Sequence, residues 1–335
     1  MMKILPKMSS YDKISVSEYS KRFHHPAIRC LLTNVVGEAY NASALFFTLG
    51  CLASGDGAYL EGGSLGLAQR MAKRFNQLGG KILYGSPVDQ VIVEHNRAVG
   101  IIVKGQRINA DAIIITSDTL SATKKLFAPA LSEPWIERMH NNTKLAACTF
   151  VSIGVECDLS NLPEDLLFPL KKSFTFVGQE ITTLSLHNYA GYPGYAPKGC
   201  STLTTIITGD TYEFWKAKKE CGEYDKEKEN LGNSILAFLS QVLPQTAGKV
   251  AVIDVATPLT YERYCGTLHG SWMAVTEKGT KSTAYPLTSE STKSLYFAGQ
   301  RLQTPGGLPV AVDTGRRAVQ YLCKDTNVVF QGKLR

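Results

Sequence analysis

The sequence has no long apolar run. Its longest, Ala42 to Ala53, is about a dozen residues, well short of the roughly 20 that a helix needs to cross a bilayer. No transmembrane segment is expected. The start, from Met1 to Val16, carries lysines but no continuous apolar stretch, which argues against a secretory signal. Eight cysteines, at 30, 51, 148, 157, 200, 221, 265 and 323, are widely spread and include no Cys-x-x-Cys pair, so neither a zinc ribbon nor a disulfide framework is indicated. A reducing, cytoplasmic setting fits that usage. The six histidines show no metal-ligand spacing, and His24 and His25 are neighbours on a predicted helix, where their side chains diverge. No metal is assigned. The string Gly279-Thr280-Lys281-Ser282 has Thr280 and Val275 where a phosphate loop needs glycine, which excludes that motif.

What is present is a chain of 335 residues, 44% hydrophobic. That is enough for a substantial core and for about two domains. The net charge of +7 does not point to nucleic acid, because basic residues are scattered among acids, as from Lys216 to Glu229. That run reads as a solvated helix face.

Periodicity divides the chain. Residues 10 to 54 read as helical, with Tyr19, Phe23, Ile28, Leu31 and Leu32 at three-to-four spacing. The turn-rich stretch Gly55 to Ser64 leads to a helix from Leu65 to Leu78, stopped by Gly79-Gly80. Short β-type runs follow at 81–84, 90–94, 98–104, 107–110 and 112–116, the last a continuous apolar run suited to a central strand. Further helices are predicted over 120–145, 210–243 and 309–324, and strands over 148–155, 174–189, 201–208, 249–256 and 294–298.

The closing stretch carries the chemistry. An apolar strand runs into Gly299-Gln300; Pro305-Gly306-Gly307-Leu308 then leads to Pro309 in the first turn of a helix, where its missing N–H costs nothing. Such a turn aims free backbone N–H groups and the positive end of the helix outward, favouring an anionic group. Gly306 and Gly307 let a flat ring approach the backbone closely. On spacing alone, an ordinary strand, glycine-rich turn and helix is the favoured reading, since such turns have many uses.

A different chemistry is written at Gly62-Gly63-Ser64-Leu65-Gly66, which matches the Gly-x-Ser-x-Gly elbow of serine hydrolases, with Asp254 and His269 following in the right order. The elbow needs a buried strand directly before its serine. Residues 53–61 are glycine-broken and carry two acids, so Ser64 reads better as a helix-capping residue. The aromatic residues from Phe174 to Phe214, with Tyr189, Tyr192, Tyr195, Tyr212 and Trp215, either fill a core or line a tunnel for a lipophilic substrate.

From about residue 10 to 324 the chain resembles the phytoene desaturase and carotenoid isomerase branch of the amine-oxidase-like flavoproteins. Three stretches carry the match: Tyr59 to Ser64 with its helix, continuing through Gly79-Gly80 to Ser86-Pro87-Val88; Thr257 to Tyr264 with Gly270-Ser271; and Gly299-Gln300 with Gly306 to Pro309. The resemblance implies an α/β fold in which residues 58–125 and 293–325 form part of a Rossmann-like FAD-binding domain. Residues 1–57 and 126–292 form a mixed α+β substrate domain, with 326–335 as a tail. It implies that Val88 lies against the adenine, that Gly299 and Gln300 lie beside the pyrophosphate and ribityl chain, and that Gly306, Gly307, Leu308 and Pro309 face the isoalloxazine. It implies desaturation, saturation or isomerisation of a lipophilic, isoprenoid-type substrate, with peripheral membrane contact. The family's amino-terminal strand and Gly-x-Gly-x-x-Gly turn have no counterpart in this sequence. The corresponding expectations are an amino-terminally truncated form, or a non-catalytic fragment or subunit that needs a separate dinucleotide-binding polypeptide.

Overall fold

The computed structural model describes residues 9–280 and 282–332. Residues 1–8 of the predicted substrate domain, 333–335 of the tail, and Lys281 in the Gly279–Ser282 string lie outside the described residues. Helices α1 (Val16–Ser20), α2 (Pro26–Val36), α3 (Ala42–Ala53) and α4 (Gly63–Gln77) precede an antiparallel meander of β1 (Gln90–Glu94), β2 (Arg97–Val103) and β3 (Gln106–Asn109). Then come β4 (Ile113–Ile115), α5 (Thr119–Lys125), α6 (Pro134–Asn142), β5 (Leu145–Ala146), β6 (Cys148–Val155), β7 (Asp165–Phe176), β8 (Gln179–Asn188) and β9 (Ser201–Thr208). The chain ends with α7 (Tyr212–Glu220), α8 (Tyr224–Val242), β10 (Val250–Ala256), α9 (Pro258–Cys265), β11 (Met273–Ala274), β12 (Leu295–Phe297) and α10 (Leu308–Asp325).

Two large cores, and a small cluster of Tyr296, Ala298 and Ala318 between β12 and α10, organise these elements. The larger lies on a five-stranded antiparallel sheet in the order β10-β6-β9-β8-β7. Val151, Ile153 and Val155 alternate inward along β6 and meet Leu203 and Ile207 of β9. Leu231, Ile235 and Leu239, at four-residue spacing on one face of α8, close over them together with Trp215. Each such buried side chain contributes roughly 1.5–3 kcal/mol. Asp225 and Glu227 in the first turn of α8 suit the positive end of that helix, and Pro244 follows its last turn. The predicted helix over 210–243 is two helices, because Gly222 turns between them at φ 76°.

The second core joins Val91, Ala98 and Ile115 of the first strands to Leu120, Trp135 and Met139 of α5 and α6, and to Tyr285, Leu295, Phe297 and Leu302 near the end. β12 lies parallel to β4, with Leu295, Tyr296 and Phe297 opposite Ile113, Ile114 and Ile115. Two sequence-based expectations change here. Residues 81–84 join no sheet among the described residues, because a strand needs a neighbour to take its backbone groups and none borders this one. The strand expected over 174–189 takes in the end of β7, a turn and β8: Val177 and Gly178 both adopt positive φ, 48° and 74°, and reverse the chain between the two strands.

Helix α4 buries none of its residues. Leu65, Met71, Phe75 and the adjoining Leu78 are all exposed along it. No helix among the described residues is long and apolar enough to cross a membrane.

Candidate functional site

The parallel strands β4 and β12 end side by side, and ligands of open parallel sheets lie beyond such carboxyl ends. Beyond these two lies the run from Ala298 to Pro309. The Ala298 amide donates to the Ile115 carbonyl at 2.9 Å. Gly299 then turns the chain at φ 138°, and Gln300 to Leu302 make a single 3₁₀ turn. Gly306 and Gly307 continue at φ 111° and 97° into α10. These angles are strained for any residue with a Cβ, and a methyl at Gly306 would stand 3.0 Å from the Gln300 carbonyl oxygen. The glycines are therefore required by the path of the backbone.

Side chains hold this path. The Gly307 amide donates to Gln300 Oε1 at 3.3 Å, and the Gly299 amide donates to the Thr314 hydroxyl at 3.0 Å. The Thr314 hydroxyl in turn donates to the Val310 carbonyl at 2.7 Å. No side chain caps α10, and Pro309 occupies its first turn. An 18-residue helix thus begins with unclaimed amides and a partial positive charge. Gly299, Gln300, Gly306, Gly307, Leu308 and Pro309 come together in this one turn. Val88 lies apart, half-exposed on the segment entering β1, and among the described residues no hydrogen bond joins it to the loop.

The loop is anchored by a charged pair that sequence reading did not single out. Arg301 donates from Nε to Asp118 Oδ2 at 2.7 Å and from Nη2 to the Ser271 carbonyl at 2.8 Å, with the Ser271 hydroxyl also in contact. The two charged side chains are 3% and 1% exposed. Asp118 also accepts from the Ser121 amide at 3.1 Å as the N-cap of α5. Asp118 before Thr119-Leu120-Ser121 has the look of a helix cap in the sequence. Its pairing with Arg301, 183 positions away, has no local signal.

A second feature lies at the start of α4. Tyr59, Leu60, Gly62, Gly63, Tyr189 and Tyr195 line a cleft of about 540 Å³. The ring of Tyr59 meets those of His187, Tyr189 and Tyr192 at 4.6, 5.4 and 4.9 Å, and Tyr189 stacks on Tyr195 at 5.0 Å. His187 Nδ1 contacts Asp165 Oδ1 at 2.8 Å and the Tyr59 hydroxyl at 3.4 Å. Burial, reinforced by neighbouring Tyr189 and Asp165, pushes the Tyr59 hydroxyl far above the ordinary tyrosine range. Burial and the hydrogen bond to Glu164 push Tyr192 up to about 12. Both phenols stay neutral at ordinary pH. Trp215 and Tyr212 belong elsewhere: Trp215 is fully buried and donates to Thr149 Oγ1 at 3.1 Å, while Tyr212 stacks on His269 at 4.4 Å. The aromatic set is therefore split between a core and a cleft.

The serine-hydrolase geometry is absent among the described residues. Ser64 is the second residue of α4 with no strand before it, Asp254 lies within β10 opposite Ser152, and His269 stacks on Tyr212. No hydrogen bond joins the three.

A glycine turn at the carboxyl ends of parallel strands, opening onto an uncapped helix and set beside a separate antiparallel sheet, defines a protein of the α/β class. The model of the family described as flavin containing amine oxidoreductase matches residues 9–323, and the chain belongs to that family. The cofactor of that family is FAD. Among curated proteins, the chain is similar to the chloroplastic prolycopene isomerase of Daucus carota, 26% identical over 72% of this chain and 40% of that protein. It is also similar to the all-trans-zeta-carotene desaturase of Myxococcus xanthus, 29% identical over 80% of this chain and 53% of that one. The chain spans about half the length of these relatives. Among solved structures, cyclohexylamine oxidase from Brevibacterium oxydans shares the fold, with a TM-score of 0.59 at 15% identity over 95% of this chain and 69% of that one.

Proposed function

We propose that this chain forms the substrate-binding part and the ring-facing half of the flavin site of a phytoene desaturase-type oxidoreductase, acting on a lipophilic, isoprenoid-class molecule by desaturation, saturation or isomerisation. The observation that carries this reading is the turn from Gly299 to Pro309. Its glycines leave the backbone bare, a side chain at Gly306 would collide with Gln300, and the first turn of α10 offers amides to an anionic or carbonyl edge. Those features fit a flat, electron-rich ring. FAD, when bound, supplies the hydride or electron transfer.

The chain's own residues bind and exclude. Gln300 keeps its side chain on Gly307, so it shapes the loop without adding charge. Leu308 offers an exposed apolar side chain at the start of α10. The Tyr59–Tyr195 cleft offers neutral aromatic faces and a glycine backbone, a surface suited to an apolar chain. The division into residues 58–125 with 293–325 and residues 1–57 with 126–292 belongs to this proposal, as does the placement of Val88 against the adenine.

The reading also holds that a strand–helix unit bearing the Gly-x-Gly-x-x-Gly turn, from polypeptide other than residues 1–335, completes the pyrophosphate site. The exposed apolar face of α4, the unpaired segment 81–84 and the two-stranded parallel sheet support it; parallel sheets are stable when buried among further strands and helices. The test is flavin binding by purified protein, alone and mixed with such a polypeptide, read by visible flavin absorbance and by quenching of flavin fluorescence. Binding near one per chain in the mixture, weakened by Gly306→Val, is the expected result. No binding in either case refutes the flavin reading, and full binding by the chain alone refutes the need for the added unit.

A further inference from the structure

The Asp118–Arg301 pair lies where both parallel strands end, three residues after β4 and four after β12. Burying two charges gives little net stability compared with apolar residues of similar size, so such a pair is better explained by what it fixes. Here it fixes three segments. Asp118 starts α5, Ser271 leads into β11, and Arg301 is the centre of the 3₁₀ turn that opens the glycine loop. The far side of the loop is tied to the same place, because the Ala274 amide of β11 donates to the Pro305 carbonyl at 2.9 Å. The Tyr285 amide donates to the Leu302 carbonyl at 2.8 Å, directly after Arg301.

Resting on the flavin reading above, we infer that Arg301, held by Asp118 and Ser271, is a positioning residue that sets the Gly299–Gly307 loop for the cofactor. The planar guanidinium suits this task because one rigid group reaches partners on two segments at once, which a lysine ammonium cannot do in the same plane. From Arg301 the constraint passes along the 3₁₀ turn to Gln300, whose Oε1 receives the Gly307 amide at the start of α10. The remaining nitrogen, Nη1, is buried and has no protein acceptor among the described residues. Two of the three guanidinium nitrogens are committed to holding the loop.

A stability effect and a positioning effect separate in a double variant. Arg301→Met alone leaves Asp118 buried without its counter-charge and lowers the melting temperature. Adding Asp118→Asn removes that charge, keeps an N-cap for α5, and is expected to restore melting to near the wild-type value. Hydrogen exchange of the amides from Gly299 to Gly307, measured on the folded double variant, is nonetheless expected to be about tenfold or more faster than in wild type, with other segments unchanged. If the double variant does not fold, Arg301→Lys answers the same question, because it keeps the charge and loses the fork. Loop exchange equal to wild type, or acceleration spread evenly over the chain, overturns the inference. Flavin affinity provides the second readout: in a mixture that binds FAD, the restored double variant is expected to bind about tenfold more weakly. Failure of the wild-type mixture to bind FAD would overturn the flavin reading instead, and loop exchange would still decide the role of Arg301.

Discussion

Glu133 offers a sharp test of how the second core is held. Its carboxylate, 3% exposed, precedes α6 and receives five donors: Trp135 Nε1 at 2.5 Å, the Glu290 amide at 3.0 Å, the Ser291 amide at 3.1 Å, the Ser291 hydroxyl at 2.7 Å, and the Ser289 hydroxyl. Burial by itself pushes its pKa up, but these donors outweigh burial and hold it below the ordinary glutamate value. Replacement by alanine leaves the buried Trp135 N–H and two amides without an acceptor, a loss of about 3–5 kcal/mol. At about 2 °C per kcal/mol for a chain of this size, melting should fall by roughly 6–10 °C. Glu133→Gln keeps the shape but turns an amide donor toward other donors, so its loss should be smaller and of the same sign. The pH dependence follows from the lowered pKa. The contribution is complete above the unfolded value of about 4.3 and is lost as pH falls through the lower folded value. Thermal melts of wild type and Glu133→Gln should therefore differ at pH 7 and converge in acid. Equal melting at neutral pH, or a difference that persists unchanged at low pH, would refute the reasoning.

Two further outcomes follow from packing. An alanine methyl at Gly270, where φ is 61°, would stand 1.8 Å from the Pro258 carbonyl oxygen, whereas at Gly222, with φ 76°, it would meet open space. Gly270→Ala should give little folded protein in a solubility and circular dichroism assay, while Gly222→Ala should cost only about 1 kcal/mol. Trp215→Phe removes the hydrogen bond to buried Thr149 and should cost about 1–3 kcal/mol by denaturant melting, while Trp215→Ala, which also empties the larger core, should cost about 3–5 kcal/mol.

How far the sequence was legible depended on the range of the signal. Strands β6 and β9 and helix α10 could be read directly, because alternation or helical spacing is a property of neighbouring residues. The strand expected over 174–189 runs on from the end of β7 into β8 because apolar alternation continues through the turn, and the earlier part of β7 has no expected strand because Pro169 weakens its signal. The segment 81–84 has the composition of a strand, but pairing is decided by a neighbour, and none of the described strands is available to it. In the candidate site, the glycine loop was visible from its residues, whereas the anchors beneath it were not.

What the sequence by itself determined is therefore local: a strand ending on Gly299, a loop that only glycine can follow, and an uncapped helix behind Pro309. Backbone sterics and hydrogen-bond periodicity act over a few residues, so one stretch is enough to encode them. Tertiary structure alone decided that Arg301 meets Asp118, that Tyr59 meets His187, and that Glu133 gathers the donors of Ser289 to Ser291. Those pairs are 183, 128 and 156 positions apart. They meet because β12 lies against β4, because the start of α4 lies against the end of β8, and because α6 begins beside the 289–291 turn, arrangements set by the burial of whole faces and by no single stretch of sequence.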